Sequence, residues 1–309
     1  MPSVSLPDRV REACARVAGR ARSVWIEEEA IGDYAAALPP ADVVGDPVAA
    51  LAGADREARA AFAICLNAIN FGSGWWPTIR KRPGHSGFFT VAAGVTERFR
   101  RQGPWRAEEL LAITAPEVAA ALGQDPGHPL MEQFAAALRD VGAHLLAEHG
   151  GSCATAVAAA GGSAPALAGL LAGWDAFADV SVYDGRDVPF FKRAQLAAAD
   201  LDRAGVAALR DVSRLTAFAD NLVPHVLRVD GVLRLDPELS AAIEAERLLV
   251  HGSPPEVELR ACAVHAVELL AAATGGRLSP PEIDSALWNR GRDRRYKSIP
   301  RPRSRNTAY

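Results

Sequence analysis

The tetrapeptide Ser-Pro-Pro-Glu occurs twice, at residues 253–256 and 279–282, and each copy reads as the start of a helix. A hydroxyl at the cap, proline where a missing N–H costs nothing and glutamate three residues on together satisfy the orphan amides of a helix N-terminus. The first copy opens an apolar run that continues to Ala273 and stops at Gly275-Gly276. Similar punctuation recurs: Asp8 ahead of Val10, Cys14, Val17 and Val24, Thr114 with Glu117, and Asp236-Pro237 opening a helix through Leu248. Strand signals are few. Residues 180–183 and 188–191 flank an Asp184-Gly185 turn and predict a hairpin, with residues 88–91 and 232–235 as further short candidates. Gly161-Gly162-Ser163 reads as a helix end and nothing reads as an interdomain linker. The expected fold is mainly α, one globular helical domain over residues 1–309 with a few short strands.

A chain of 309 residues with 49% hydrophobic content can bury a large core. Its four cysteines, Cys14, Cys65, Cys153 and Cys262, have no paired spacing. They form neither a disulfide framework nor a metal signature, so a reducing cytoplasm and no cofactor are expected. The N-terminus lacks the basic start and apolar core of a signal peptide, and Gly, Pro and charges interrupt every apolar stretch short of a bilayer span. Of the net charge of −3, residues 290–305 carry +7 and the rest −10. That distribution does not fit a uniformly basic nucleic-acid surface; it fits a local anion site or a solvated basic tail.

Three segments carry residues suited to chemistry. In the run Leu215–His225 the apolar residues follow helical spacing, and Pro224 lies four residues after Asp220. Proline has no N–H to bond the Asp220 carbonyl, so a break is expected there and an acid stands beside it. A plain helix end would look the same. Residues 64–89 crowd Asn67, Asn70, Phe71, Gly72, Ser73, Gly74, two tryptophans, Lys81 and His85. Glycines let backbone amides approach a ligand, aromatics stack on planar rings and asparagine reads both donors and acceptors, so a ligand pocket and a packed loop both fit. The basic tail ends in Arg303, Arg305 and Tyr309, and its prolines suit an extended segment lying back on the body. Arginine forks there suit a phosphate, and a solvated tail is the alternative. His85, His225 and His265 are isolated, and Glu256 can pair with Arg260 along one helix face. Lysine occurs only at Lys81, Lys192 and Lys297, which draws attention to Lys192 within FFKRAQ.

Taken together, LNAINF (66–71), DVSVYDGRDVPFFKRAQLAAADL (179–201), LTAFADNLVPHVLRVDGVL (215–233), PPEVELRACAVHAVELL (254–270), ALWNRGRD (286–293) and the ending IPRPRSRNTAY resemble the queuosine salvage protein family, the queuosine 5′-phosphate N-glycosylases. The resemblance runs from about Leu66 onward. It implies a helical fold similar to DNA base-excision glycosylases and hydrolysis of the bond between ribose and a modified 7-deazaguanine, releasing queuine. It implies that Asp220 is the catalytic carboxylate and places Lys192 beside it or at the phosphate. Asn70, Phe71, Gly72, Ser73 and Phe191 are the expected base-side contacts, with Arg303 and Arg305 for the 5′-phosphate. Pro302 stands where the family commonly has histidine, while both arginines remain. The implied partners are a small nucleotide and free queuine, with no nucleic acid or membrane. The alternatives are a DNA base-excision glycosylase and a helical module that binds queuine or modified tRNA without cleaving it.

Overall fold

The computed structural model describes residues 4–39, 51 and 53–309. Two helices each carry a long unbroken buried run. One is α3 (Arg56–Ala68), in which every residue from Ala60 to Ala68 is buried. The other is α13 (Pro254–Ala273), in which residues 256–264 are all buried. A helix covered on all faces belongs at the centre of a core, and the remaining elements pack around these two.

Against α3 lie α4 (Gly87–Gln102), α7 (Pro129–His149), α8 (Cys153–Ala159) and α10 (Lys192–Arg203). Against α13 lie α1 (Leu6–Ala18), α2 (Glu28–Ala37), α11 (Leu222–Val229) and α14 (Pro280–Arg290). Helices α5 (Ala107–Ala112) and α6 (Ala115–Leu122) pack on α7, and α9 (Ala164–Leu171) packs on α10. Helices α12 (Pro237–Glu244) and α15 (Arg294–Lys297) complete the helical set among the described residues.

Among the described residues, strands are short and stand in two pairs. β1 (Val24–Ile26) runs antiparallel to β4 (Leu233–Leu235), with Val24 opposite Leu235. β2 (Val180–Tyr183) and β3 (Arg186–Pro189) form the expected hairpin. Its two turn residues, Asp184 and Gly185, have φ of 47° and 72°, the backbone a two-residue hairpin of this twist requires.

The start signals are mostly as read. Thr114–Glu117 and Ser279–Glu282 form capping boxes, and the Asp236 side chain caps α12. Four expectations are corrected. Ser5, not Asp8, occupies the cap of α1; Asp8 lies in the first turn, and Val24 belongs to β1. Residues 88–91 are helical, because the Ser86 side chain caps α4 and Val91, Val95 and Phe99 share its buried face. The helix from Pro237 ends at Glu244, shortly before Glu246 takes a φ of 53°. The helical reading of residues 215–220 also fails: the chain there is extended, and α11 begins only at Leu222.

Candidate active site

The extended segment 215–220 is buried without strand partners, so its peptide groups need side-chain partners. They have them. Gln195 of α10 brackets Thr216, accepting its N–H at 3.0 Å and donating to its hydroxyl at 2.9 Å. The Phe218 N–H donates to Asp284 Oδ1 of α14 at 2.8 Å, and Arg260 Nε of α13 donates to the Ala219 carbonyl at 2.9 Å. The segment delivers Asp220 to the N-terminus of α11, where its Oδ1 accepts the N–H groups of Leu222 (2.8 Å) and Val223 (3.0 Å). Pro224 falls in the first turn, where its missing N–H leaves nothing unsatisfied. Both bonds use Oδ1, so Oδ2 has no hydrogen-bond partner among the described residues.

Lys192 comes from the other side. It is the first residue of α10 and is 5% exposed. The preceding Phe191 holds a left-handed φ of 49°, unusual for a bulky residue and kept in place by Asp179. The Asp179 carbonyl accepts the N–H groups of Phe190 and Phe191, and its carboxylate accepts the Lys192 N–H at 3.1 Å. The Lys192 ammonium then reaches the Asn70 carbonyl at 3.2 Å. Burial pulls its pKa down to about 8; Arg193 adds to that, and the charges of Asp220, Asp284 and Asp200 oppose it. Asp284 faces the same space. Burial first, and the neighbouring Asp220 charge second, push its carboxyl well above the usual range, which favours its protonated, hydrogen-bond-donating form.

These groups line one cavity of about 250 Å³. One wall is aromatic: Trp288 of α14 meets the rings of Phe88 (6.0 Å) and Phe89 (5.7 Å), with Trp76 nearby in the lining. Gly87 makes that wall possible, because a Cβ there would lie 2.4 Å from the Trp76 indole. Arg292 lies over this wall, 4.9 Å from the Phe89 centroid and 5.7 Å from that of Trp288, and Lys297 and Arg301 add two more cations to the lining. Asn70, Phe71 and Ser73 also line it, as do Asn221, Asn289 and Tyr309.

The expected residues therefore divide. Asp220, Lys192, Asn70, Phe71 and Ser73 are brought together. Gly72 and Phe191 stand behind the wall: the Gly72 N–H donates to the Tyr309 carbonyl, and Phe191 shapes the turn into α10. Arg303 and Arg305 do not line the cavity. Arg303 pairs with Glu246 at 3.2 Å, and exposed Arg305 lies over Trp75. Asn67 ties Asp200 to α3 through a 2.8 Å bond. His225 is a core residue whose ring is pushed down to about 4 by burial and bonds the Tyr296 carbonyl. Reasoning from sequence missed Asp284, the Phe88–Phe89–Trp288 wall and Arg301. The signal for Trp288 and Asn289 lay in ALWNRGRD, but nothing local marks Asp284 as facing Asp220.

The tail does lie back on the body. Ser304 is fully buried, and its carbonyl accepts the Gly74 N–H at 3.2 Å. A Cβ on Gly74 would sit 2.7 Å from the Ser304 carbonyl group. Gly74→Ala is therefore expected to lower stability by about 1–3 kcal/mol, the usual cost of overpacking, and to raise KM as the tail carrying Arg301 and Tyr309 shifts. Urea denaturation with steady-state kinetics checks both; an unchanged variant would mean the tail yields freely.

A helical frame thus brings together an acid with an unpartnered oxygen, a second acid whose pKa burial raises, and a buried lysine beside an aromatic wall. Residues 51–309 match the family described as queuosine salvage protein, and the chain belongs to that family. It is 33% identical over 308 aligned residues, 95% of each chain, to a queuosine 5′-phosphate N-glycosylase/hydrolase of Sphaerobacter thermophilus. The Bos taurus protein of the same description is 30% identical over 246 residues, 73% of this chain and 72% of its own.

Proposed function

We propose that this protein hydrolyses the N-glycosyl bond of queuosine 5′-phosphate, releasing queuine and ribose 5-phosphate. The observation that carries the reading is the free Oδ2 of Asp220 in a cavity it shares with Asp284 and Lys192. The base lies against Phe88, Phe89 and Trp288, where a flat heterocycle stacks well. As the C1′–N bond breaks, its electron pair passes to the base nitrogen and positive charge develops on the sugar. Asp220 stabilises that charge. A 7-deaza base has carbon where a purine has N7, so the usual site for protonating the leaving group is missing. Asp284 answers this by donating a hydrogen bond to the departing base. Water adds its oxygen to C1′, the proton it loses passes to Asp220, and that same proton ends on the base nitrogen by way of solvent, which returns Asp220 to its carboxylate form. Incubating the protein with queuosine 5′-phosphate and detecting free queuine by mass spectrometry tests the reading; substrate binding without product would turn the protein into a binding module.

Arg301 and Lys297, which line the cavity, take the phosphate in place of Arg303 and Arg305. Arg301→Ala combined with Lys297→Ala is expected to lower kcat/KM for the nucleotide roughly 10- to 100-fold, the scale of one or two lost charge-assisted hydrogen bonds. The nucleoside should change little. Equal losses on both substrates would remove the phosphate from these two cations.

A further inference from the structure

One buried ion pair holds both halves of the site. Arg260, 1% exposed, donates to Asp179 through both ends of its fork, Nη1 to Oδ1 at 2.9 Å and Nη2 to Oδ2 at 2.7 Å. Its third donor, Nε, bonds the Ala219 carbonyl, one residue before Asp220. The same Asp179 carboxylate accepts the Lys192 N–H, and the Asp179 carbonyl fixes the strained turn at Phe191. The guanidinium plane lies between two rings, 3.9 Å from the Phe190 centroid and 4.3 Å from that of Tyr309. Tyr309 in turn donates its hydroxyl to Glu256, one turn earlier on α13, at 2.6 Å. The planar fork uses donors in three directions, which an ammonium cannot reproduce.

We propose that Arg260 is a positioning residue that sets the distance between Lys192 and Asp220 without touching substrate. The proposal rests on the reading of Asp220 as the catalytic carboxylate. A salt bridge kept only for stability needs Asp179 alone. The bond to Ala219 reaches instead into a segment with no secondary structure, where it fixes the backbone that aims the acid. Misplacement of a reacting group by about 1 Å can cost about 100-fold in rate.

The test is a double-mutant cycle on queuosine 5′-phosphate hydrolysis. Arg260→Lys is expected to lower kcat by roughly 100-fold with KM changed by less than about threefold, because the cavity walls are made by other residues. In an Asp220→Asn background the same change should cost less than about threefold, since there is then no catalytic carboxylate left to aim. A folded Arg260→Lys protein with near-normal kcat, or losses that multiply in the double variant, would overturn the proposal. If Arg260→Lys does not fold, Phe190→Leu loosens the guanidinium while keeping the ion pair. It should lower kcat by about 3- to 10-fold with the same loss of effect in the Asp220→Asn background, and additivity there overturns the proposal equally. A null effect of Asp220→Asn itself would strike the functional reading rather than the role of Arg260.

Discussion

Asp220→Asn is expected to lower turnover of queuosine 5′-phosphate by roughly 10²–10⁴, the range for losing a positioned charge that acts mainly in the transition state. The substitution is nearly isosteric. The amide oxygen can keep both backbone bonds, to Leu222 and Val223, so the start of α11 is preserved. What changes is the group at Oδ2, from an anionic acceptor to a neutral donor. The neighbours respond as well. Without the Asp220 charge the Asp284 carboxyl loses one cause of its raised pKa, and Lys192 loses the foremost of the negative charges that keep its own from falling further. Single-turnover rates with a melting curve separate chemistry from folding. A folded variant with near-normal turnover would falsify the assignment.

Lys192→Met is the second large expected effect, a loss of roughly 10²–10³ in kcat/KM. The side chain is buried, its ammonium reaches the Asn70 carbonyl, and the carboxyls of Asp220, Asp284 and Asp200 act on it across the site, with Arg193 the opposing cation. The ammonium is charged below its pKa of about 8 and neutral above it. The wild-type rate should therefore fall as pH rises through 8, and that alkaline limb should be missing from the methionine variant. Stability moves the other way. Because the folded pKa lies below the unfolded value, holding Lys192 charged at pH 7 costs folding free energy, and stability rises as pH passes from the folded pKa toward the unfolded one. Methionine fills similar volume without that cost, so the variant should melt no lower than its parent at pH 7. Lower activity with a lower melting temperature would make Lys192 a structural cation instead.

How much of this was legible depends on the range of the interaction involved. Pro224 suits the first turn of α11, in which it falls, and the hairpin follows from Asp184-Gly185. These are local rules, and they work. The two Ser-Pro-Pro-Glu copies mark the limit. At Ser279 the glutamate folds back to cap its own helix, whereas at Ser253 the Glu256 carboxylate accepts the Gly252 N–H and the Tyr309 hydroxyl. Identical spelling gives different partners because Tyr309 arrives from a remote part of the chain. Likewise Arg301, Arg303 and Arg305 look interchangeable in sequence. The path of the tail separates them: the Asn221 side chain bonds the Pro302 carbonyl, and Leu249 bonds that of Arg303. Arg301 is thereby left at the cavity and Arg303 is turned toward Glu246. The helical reading of residues 215–220 failed for the same reason, since Gln195, Asp284 and Arg260 supply the peptide partners that a helix would have supplied.

The docking of Ser304 beside Ser73 joins residues 231 positions apart. Closing so long a loop is entropically costly and comes late in folding. The helices packed on α3, namely α4, α7, α8 and α10, meet it across shorter separations, while one wall of the cavity waits for the tail to arrive. A molecule caught before that moment would have helices assembled around α3 but an open, inactive site. In refolding experiments, recovery of helical circular dichroism should precede recovery of turnover.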